Sequence, residues 1–207
     1  MEKHVTAAKK HFEMTDPVMA RLFSAALQTA APITLPEEKP PKDYFASIAS
    51  SIISQQISVA AARSIKARVV ALLGEITPES VLAADFIELK SCGLSEKKTQ
   101  YLKHNAAIWH EIPYGDFVLM DDEAIIKELT KLYGIGRWTA EMFLIFSLAR
   151  PDVFSYGDLG LMQSLYANYT CKPHYTKKIK TTVDSWSPYR SLASLTLWHT
   201  KDNSPTS

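Results

Sequence analysis

Two features of this chain have the residue types and spacing to do chemistry: a Gly-x-Gly turn and an aspartate downstream of it. The turn lies in Leu132-Tyr-Gly-Ile-Gly-Arg-Trp-Thr-Ala140, with Gly134 and Gly136; Asp158 stands in Phe154-Ser-Tyr-Gly-Asp-Leu-Gly160. Glycine tolerates positive φ and lets a backbone or a ligand approach closely. The amides of Gly134 to Arg137 fall at the start of the next helix, where unpaired N–H groups and the helix dipole favour an anion such as phosphate. A plain helix–helix connection uses the same residues, and Gly-x-Gly alone does not separate the two. Asp158 brings a carboxylate, which can stabilise positive charge or orient a water in a partly dry site. Asp is also a good N-cap, and the two roles are compatible.

The elements that must position these residues follow from the apolar spacing. Asp121 to Leu132 carries Ile125, Ile126, Leu129 and Leu132 at helical intervals, with Asp121 placed as the cap. Trp138 to Ala149 repeats the pattern through Thr139, Met142, Phe143, Ile145 and Phe146, so two helices meet at the glycine turn. A helix bearing Leu161, Met162, Leu165 and Tyr166 follows Asp158, and Thr176 to Ser185 and Pro188 to Thr200 form the last two. Upstream, Asp16-Pro17 opens a helix to about Thr29, with Val18, Leu22, Ala25 and Ala26 on its buried side. The proline-rich segment 31–42 reads as an exposed connection.

Asp43 then caps a helix carrying Phe45, Ile48, Ala49, Ile52 and Ile53. Gln55-Gln56 interrupts it, and a second helix runs from Ser58 to Gly74. Thr77-Pro-Glu opens a short helix, Leu89 to Ser95 is a turn, and Ser95 caps a helix from Glu96 to His110. In that helix Lys97 and Lys98 occupy the first turn, against the preference of a helix N-terminus for acids; a nearby phosphate or solvent relieves the mismatch. There is no internal repeat and no convincing strand alternation, so the fold class is all-α. The chain of 207 residues suits a single domain, with a tail at 202–207 expected to fray.

Composition narrows the function. A net charge of +1 argues against a large electrostatic wrap around nucleic acid and is compatible with a small footprint. Local basic clusters are Arg63, Lys66 and Arg68; Lys97, Lys98 and Lys103; Arg137; and Lys177, Lys178 and Lys180, each of which also reads as a solvated helix face. No apolar run approaches the ~18 residues of a membrane span, and the N-terminus lacks the apolar core of a secretion signal. Cys92 and Cys171 are too few for a four-thiolate metal site; as reduced thiols they fit a cytoplasmic or nuclear address.

The hairpin and Asp158 together resemble the helix-hairpin-helix DNA glycosylases, and within them the alkylpurine (3-methyladenine type II) branch. Ser51-Ile-Ile-Ser-Gln-Gln-Ile-Ser-Val-Ala-Ala-Ala-Arg63 is similar to the segment with which that family penetrates DNA, and Trp186-Ser-Pro-Tyr-Arg190 with Trp198 is similar to its C-terminal signature. The resemblance implies a two-lobed helical fold with the active-site cleft between the lobes, and a glycosylase that flips alkylated purines (3-methyladenine, 7-methylguanine, and in a wider range ethenoadenine or hypoxanthine) out of duplex DNA and releases them.

In that reading Asp158 carries the chemistry, Gln56, with Ile57 and Ser58 near enough to share the role, fills the duplex, and Trp138, Trp198, Met142 and Tyr156 line the base pocket. Gly134, Gly136, Arg137, Thr139, Lys97 and Lys98 contact the backbone. The carbonyls of Leu132 and Gly134 hold a monovalent cation, Na+ or K+, that bridges to phosphate; no redox or organic cofactor is implied. Bifunctional relatives have a lysine where Trp138 stands, so a monofunctional, monomeric enzyme that leaves an abasic site is expected. The larger bacterial form has an additional N-terminal domain that the segment before Tyr44 is too short to supply. It also has aromatic residues where this chain has Met142 and Leu159, which leaves the range of accepted lesions open. The reading from another class is a non-catalytic helix-hairpin-helix module that binds distorted DNA, which keeps Gly134 and Gly136 and has no need of Asp158.

Overall fold

The computed structural model describes residues 2–169 and 176–202, and every statement below concerns those residues. In chain order the helices are α1 (Glu2–Thr15), α2 (Pro17–Leu27), α3 (Tyr44–Ser54), α4 (Val59–Leu73), α5 (Pro78–Ala83), α6 (Phe86–Ser91), α7 (Glu96–Ile108), α8 (Asp122–Leu129), α9 (Arg137–Phe146), α10 (Leu159–Tyr169), α11 (Thr176–Asp184) and α12 (Arg190–Asp202). No strand occurs among the described residues, in keeping with the all-α expectation. Cys171 and 203–207 lie outside them. None of the helices is long and apolar enough to cross a membrane.

The chain divides into two compact units, one made of Met1–Glu37 with Leu144–Ser207 and the other of Glu38–Phe143. The first packs α1 and α12 on α2, and α10 on α12. Its core includes Phe12, Met19, Phe23, Leu161, Leu165, Trp186, Leu192 and Leu197. At its centre the buried Asp16 caps α2 through Oδ1, which accepts the amides of Val18 and Met19 at 3.0 Å each. Its Oδ2 accepts the hydroxyl of Tyr169 and the indole N–H of Trp186, both at 2.7 Å. Four donors on one carboxylate make its burial tolerable, since a buried charge is costly unless hydrogen-bonded. The expected cap is therefore also the link between chain ends.

Several expectations change here. The buried side of α2 is Met19, Phe23 and Ala26, while Val18 and Leu22 are half-buried and Ala25 is exposed; α2 is covered by both α1 and α12, and a helix flanked on two sides buries a different stripe from the one its smaller residues suggest. Segment 31–42 is not uniformly exposed, because Ile33 and Leu35 are buried in the first unit's core. Helix α1 was not anticipated: its polar composition leaves only Ala8 and Phe12 fully buried, too sparse a stripe to stand out.

The second unit packs α3 against α4 and α7, and α5 and α6 against α7. Asp43 does not cap α3. It closes a 3-10 turn at Pro41–Asp43 and its side chain makes no capping bond, because Asp43 itself adopts helical dihedrals instead of the extended ones an N-cap requires. The stretch expected as a turn from Leu89 begins inside α6, a helix too short to show apolar periodicity. By contrast, Ser58, Thr77, Ser95 and Asp121 each accept a backbone amide at the head of their helix, as their positions suggest.

Candidate functional site

In the first unit, the strand of backbone leading to Asp158 is tied to the start of α12. Arg190 grips Asp152 in a fork, Nε to Oδ1 and Nη2 to Oδ2 at 2.8 Å each, and Ser187 donates to the same carboxylate. Burial pushes the Asp152 carboxyl up, but the donors from Arg190 and Ser187 outweigh it and hold it below the ordinary value. The buried Ser191 donates to the Arg150 carbonyl and accepts the Val153 amide. The Trp186-to-Arg190 signature is thus architectural: it fixes residues 150–153, from which the chain turns into α10.

Asp158 stands half-buried at the head of α10. Its Oδ1 accepts the amide of Leu161 at 2.7 Å, the capping bond, and the indole N–H of Trp198 at 3.1 Å. The carboxylate is therefore oriented from two sides, and the anticipated capping role is realised. Trp198 is half-buried, and its ring stacks on Phe146, centroids 5.9 Å apart at 30°, an offset pair worth about 0.5–1.5 kcal/mol beyond burial. Phe146 is 40% exposed; it was read from the sequence only as one position of a helical stripe. Tyr156 is exposed and meets Phe154 edge-on at 5.0 Å. Burial, followed by the charge of Asp184, pushes the Tyr156 hydroxyl above its ordinary value.

In the second unit, the glycine turn is built as expected but held in unexpected ways. Gly134 has φ +78, and a Cβ there would stand 2.5 Å from the ring of Tyr101. The buried Asn105 brackets Tyr133, its side-chain oxygen accepting the Tyr133 amide at 2.8 Å and its Nδ2 donating to the Tyr133 carbonyl at 2.9 Å. Gly136 differs: its φ is not positive and a Cβ would meet nothing within 4 Å. Neither conformation nor packing within the protein demands glycine there, and the space beside it is open.

The loop 55–58 belongs to the same construction. Nε2 of Gln55 donates to the Gly134 carbonyl at 2.8 Å, joining the loop to the hairpin. Gln56 is exposed and has φ 58, a left-handed conformation costing a non-glycine residue about 1–2 kcal/mol. Ile57 is 37% exposed and Val59 77% exposed beside it. Ser58 is occupied as the N-cap of α4 through the Ala61 amide.

Three residues of the backbone-contact expectation are engaged within the protein. Thr139 is buried, so its side chain faces the protein interior and only its main chain remains for a ligand. The Lys98 ammonium donates to the carbonyls of Ile53 and Gln55 at 2.8 and 2.7 Å, neutralising the end of α3; burial pushes its pKa down. Lys103 does the same for the end of α5 and Arg68 for the end of α6. Cations suit helix C-termini because the unpaired carbonyls and dipole there are negative. Arg137 donates to the carboxylates of Glu123 and Glu141, and these hydrogen bonds, chiefly those to Glu123, raise its pKa. Lys97 remains exposed, lying over the Tyr101 ring at 5.6 Å.

Trp138 is 45% exposed on α9 and Met142 half-buried one turn on; both belong to the second unit, whereas Trp198, Tyr156 and Asp158 belong to the first. The two carbonyls of the cation expectation each accept one hydrogen bond already, Leu132 from the Ile135 amide and Gly134 from Gln55. Each oxygen keeps a second lone pair for such an ion, whose remaining ligands would come from outside this pair.

A glycine hairpin between two helices and an aspartate held at a helix head by an indole define a class, and comparison with known proteins names it. The profile described as the HhH-GPD superfamily of base excision DNA repair proteins matches residues 49–188, and the chain belongs to that superfamily. Among individual proteins it is 35% identical to the DNA-3-methyladenine glycosylase of Saccharomyces cerevisiae, over 95% of this chain and 80% of that one. It is 32% identical to DNA-3-methyladenine glycosylase 2 of Escherichia coli, over 79% of this chain and 60% of that one.

Two solved structures share the fold closely. One is the DNA-3-methyladenine glycosidase of Bacillus halodurans, with TM-score 0.81 and 30% identity over 95% of this chain and 89% of that one. The other is the Schizosaccharomyces pombe 3-methyladenine DNA glycosylase in complex with abasic DNA, with TM-score 0.78 and 28% identity over 97% and 99% of the two chains.

Proposed function

We propose that this protein is a monofunctional DNA glycosylase of base excision repair that extrudes alkylated purines from duplex DNA and hydrolyses their N-glycosidic bond, leaving an abasic site. The observation that carries the reading is the Asp158 carboxylate, oriented by Leu161 and Trp198 in the part of the chain that the HhH-GPD profile spans. The glycosidic bond is inaccessible inside a duplex, so the nucleotide must first leave the stack. The Gln56-Ile57 tip supports that step: it is exposed, carries an apolar side chain, and is held rigidly by Gln55 and Lys98. The hairpin amides at Gly136 and Arg137 suit a backbone phosphate, with Gly136 leaving the approach open.

Departure of the base builds positive charge on the sugar, giving an oxocarbenium-like transition state. A carboxylate fixed before reaction stabilises that charge without reorganising, and it can orient or deprotonate the attacking water. An N3- or N7-alkylated purine is cationic, and the faces of Trp198 and Tyr156, in the same unit as Asp158, attract such a base through cation–π contact. Alkylation also weakens the bond to be broken, so recognition of charge and ease of cleavage favour the same lesions. With no lysine in Gly134 to Thr139, the hairpin has no amine to form a Schiff base with the sugar. The partner is alkylated double-stranded DNA, bound by one copy of the chain in whichever compartment holds the DNA.

Release of free 3-methyladenine and 7-methylguanine from methylated duplex DNA, resolved chromatographically for wild type and Asp158→Asn, tests the proposal. The wild type releases base and the variant binds DNA without releasing it. Binding by both proteins with release by neither would favour a non-catalytic helix-hairpin-helix module.

A further inference from the structure

Gly160, the second residue of α10, borders a space shared by three functional groups. A Cβ at this position would stand 3.1 Å from Oδ1 of Asp158, 3.4 Å from Nζ of Lys201 and 3.5 Å from Cδ1 of Trp198. The φ of Gly160 is not positive, so the backbone conformation does not require glycine; a Cβ would be tight against the Asp158 carboxylate and would touch the other two groups. It also follows that the Lys201 ammonium and the Asp158 carboxylate are no further apart than the sum of two contact distances. Lys201 lies in the last turn of α12, and nothing in its local sequence marks it as more than a cation at a helix C-terminus.

An ammonium beside the carboxylate that faces the sugar is at first sight a liability. Positive charge develops at C1′ as the base leaves, and a neighbouring cation opposes it unless an anion intervenes. The substrate supplies that anion: the phosphodiester adjoining the same sugar is never more than one sugar ring away from C1′. We propose that Lys201 binds the phosphate flanking the extruded nucleotide, drawing the sugar onto Asp158, and that Gly160 keeps the intervening space open. The inference rests on the reading that Asp158 faces the sugar of the flipped nucleotide. It divides the work at this corner between two charges, the carboxylate acting on the sugar and the ammonium on its phosphate.

The test uses the full-length chain, with Lys201→Gln and Lys201→Arg beside wild type. Two readouts are taken: binding to a duplex bearing a tetrahydrofuran abasic analogue across a range of salt concentrations, and single-turnover release of 7-methylguanine. Melting temperatures confirm that the variants fold. The Gln variant should bind the analogue about tenfold more weakly, and its log affinity against log salt should be shallower by about one contact. The Arg variant should recover most of both.

A duplex with an uncharged methylphosphonate at one of the two linkages flanking the analogue should remove the difference between wild type and the Gln variant. Equal affinity and equal salt slope for wild type and Lys201→Gln would overturn the proposal. So would a methylphosphonate effect that adds fully to the variant's at both linkages. A borohydride-trapped covalent adduct that disappears in Lys201→Gln would overturn it too, by assigning the amine to imine chemistry. Failure of the wild type to release base while the salt-slope difference persists would reject the glycosylase reading and leave the phosphate contact standing.

Discussion

The Trp198→Phe substitution isolates what orients Asp158. It deletes the indole N–H that donates to Oδ1 at 3.1 Å and keeps a six-membered ring to stack on Phe146. A hydrogen bond to a charged acceptor contributes about 1.5–3 kcal/mol, and the half-buried setting of Trp198 places it in the lower part of that range. If that energy is realised in the transition state, kcat/KM for 7-methylguanine release falls roughly ten- to thirtyfold, since each ~1.4 kcal/mol is a decade. The stack on Phe146 should survive, so the melting temperature should fall by no more than the equivalent of the lost hydrogen bond, ~2 kcal/mol. The assay is single-turnover release from methylated duplex DNA, for wild type, Trp198→Phe, Asp158→Asn and the double variant. Because the indole acts here through the carboxylate, the double variant should be no slower than Asp158→Asn alone. Wild-type activity within about twofold for Trp198→Phe would refute the reasoning, leaving the Leu161 amide as the sufficient anchor. Full additivity in the double variant would show instead that the indole acts on the base and not through Asp158.

The two hairpin glycines should respond in opposite ways to alanine. At Gly134 a Cβ meets Tyr101 at 2.5 Å and must adopt φ +78, so overpacking and backbone strain together cost about 2–4 kcal/mol, read as a fall in the denaturant midpoint. At Gly136 neither penalty applies, so stability stays within about 0.5 kcal/mol while affinity for abasic duplex DNA drops. Asp152 sets an acid dependence. Its folded-state pKa lies below the ordinary 3.8, so its stabilisation is complete above that value and is lost as the pH falls through the lower folded value. Melting temperatures of wild type and Asp152→Asn should therefore differ at pH 6 and converge as the pH is lowered below about 4.

What the sequence disclosed and what it withheld divide along the range of the interactions. Capping residues act within one turn, so Asp16, Ser58, Ser95, Asp121 and Asp158 are all legible as helix starts. The Gly-x-Gly turn is legible because it lies between two strongly periodic helices. Asp43 misleads because a cap depends on extended dihedrals as well as on residue type, and the proline-rich approach continues as a 3-10 turn instead. The basic clusters mislead for another reason. Lys98, Lys103 and Arg68 look like a surface charge field, yet each is spent on the carbonyl end of a helix distant in sequence, and nothing nearby in the chain announces those partners. Lys201 shows the reverse: an ordinary terminal lysine acquires a place beside Asp158 only once α10 and α12 pack and Gly160 is found between them.

The hairpin and the loop 55–58 are two devices in the sequence and one in the structure. Gln55 donates to the Gly134 carbonyl, Lys98 closes the end of α3 on the Gln55 carbonyl, and Asn105 from the same helix as Lys98 brackets Tyr133. Helix α7 thus holds both the loop and the hairpin from behind. A left-handed Gln56 persists in such a setting because its neighbours on each side are fixed, by Lys98 at Gln55 and by the Ser58 cap of α4. On the proposed function, engagement of phosphate by the hairpin would therefore set where the Gln56-Ile57 tip stands. The tip need not be ordered on binding, and the conformational entropy of a flexible wedge is not charged against opening the duplex. The amide of Gln55 carries this coupling, which gives the less conspicuous of the two adjacent glutamines the structural task and leaves the other exposed.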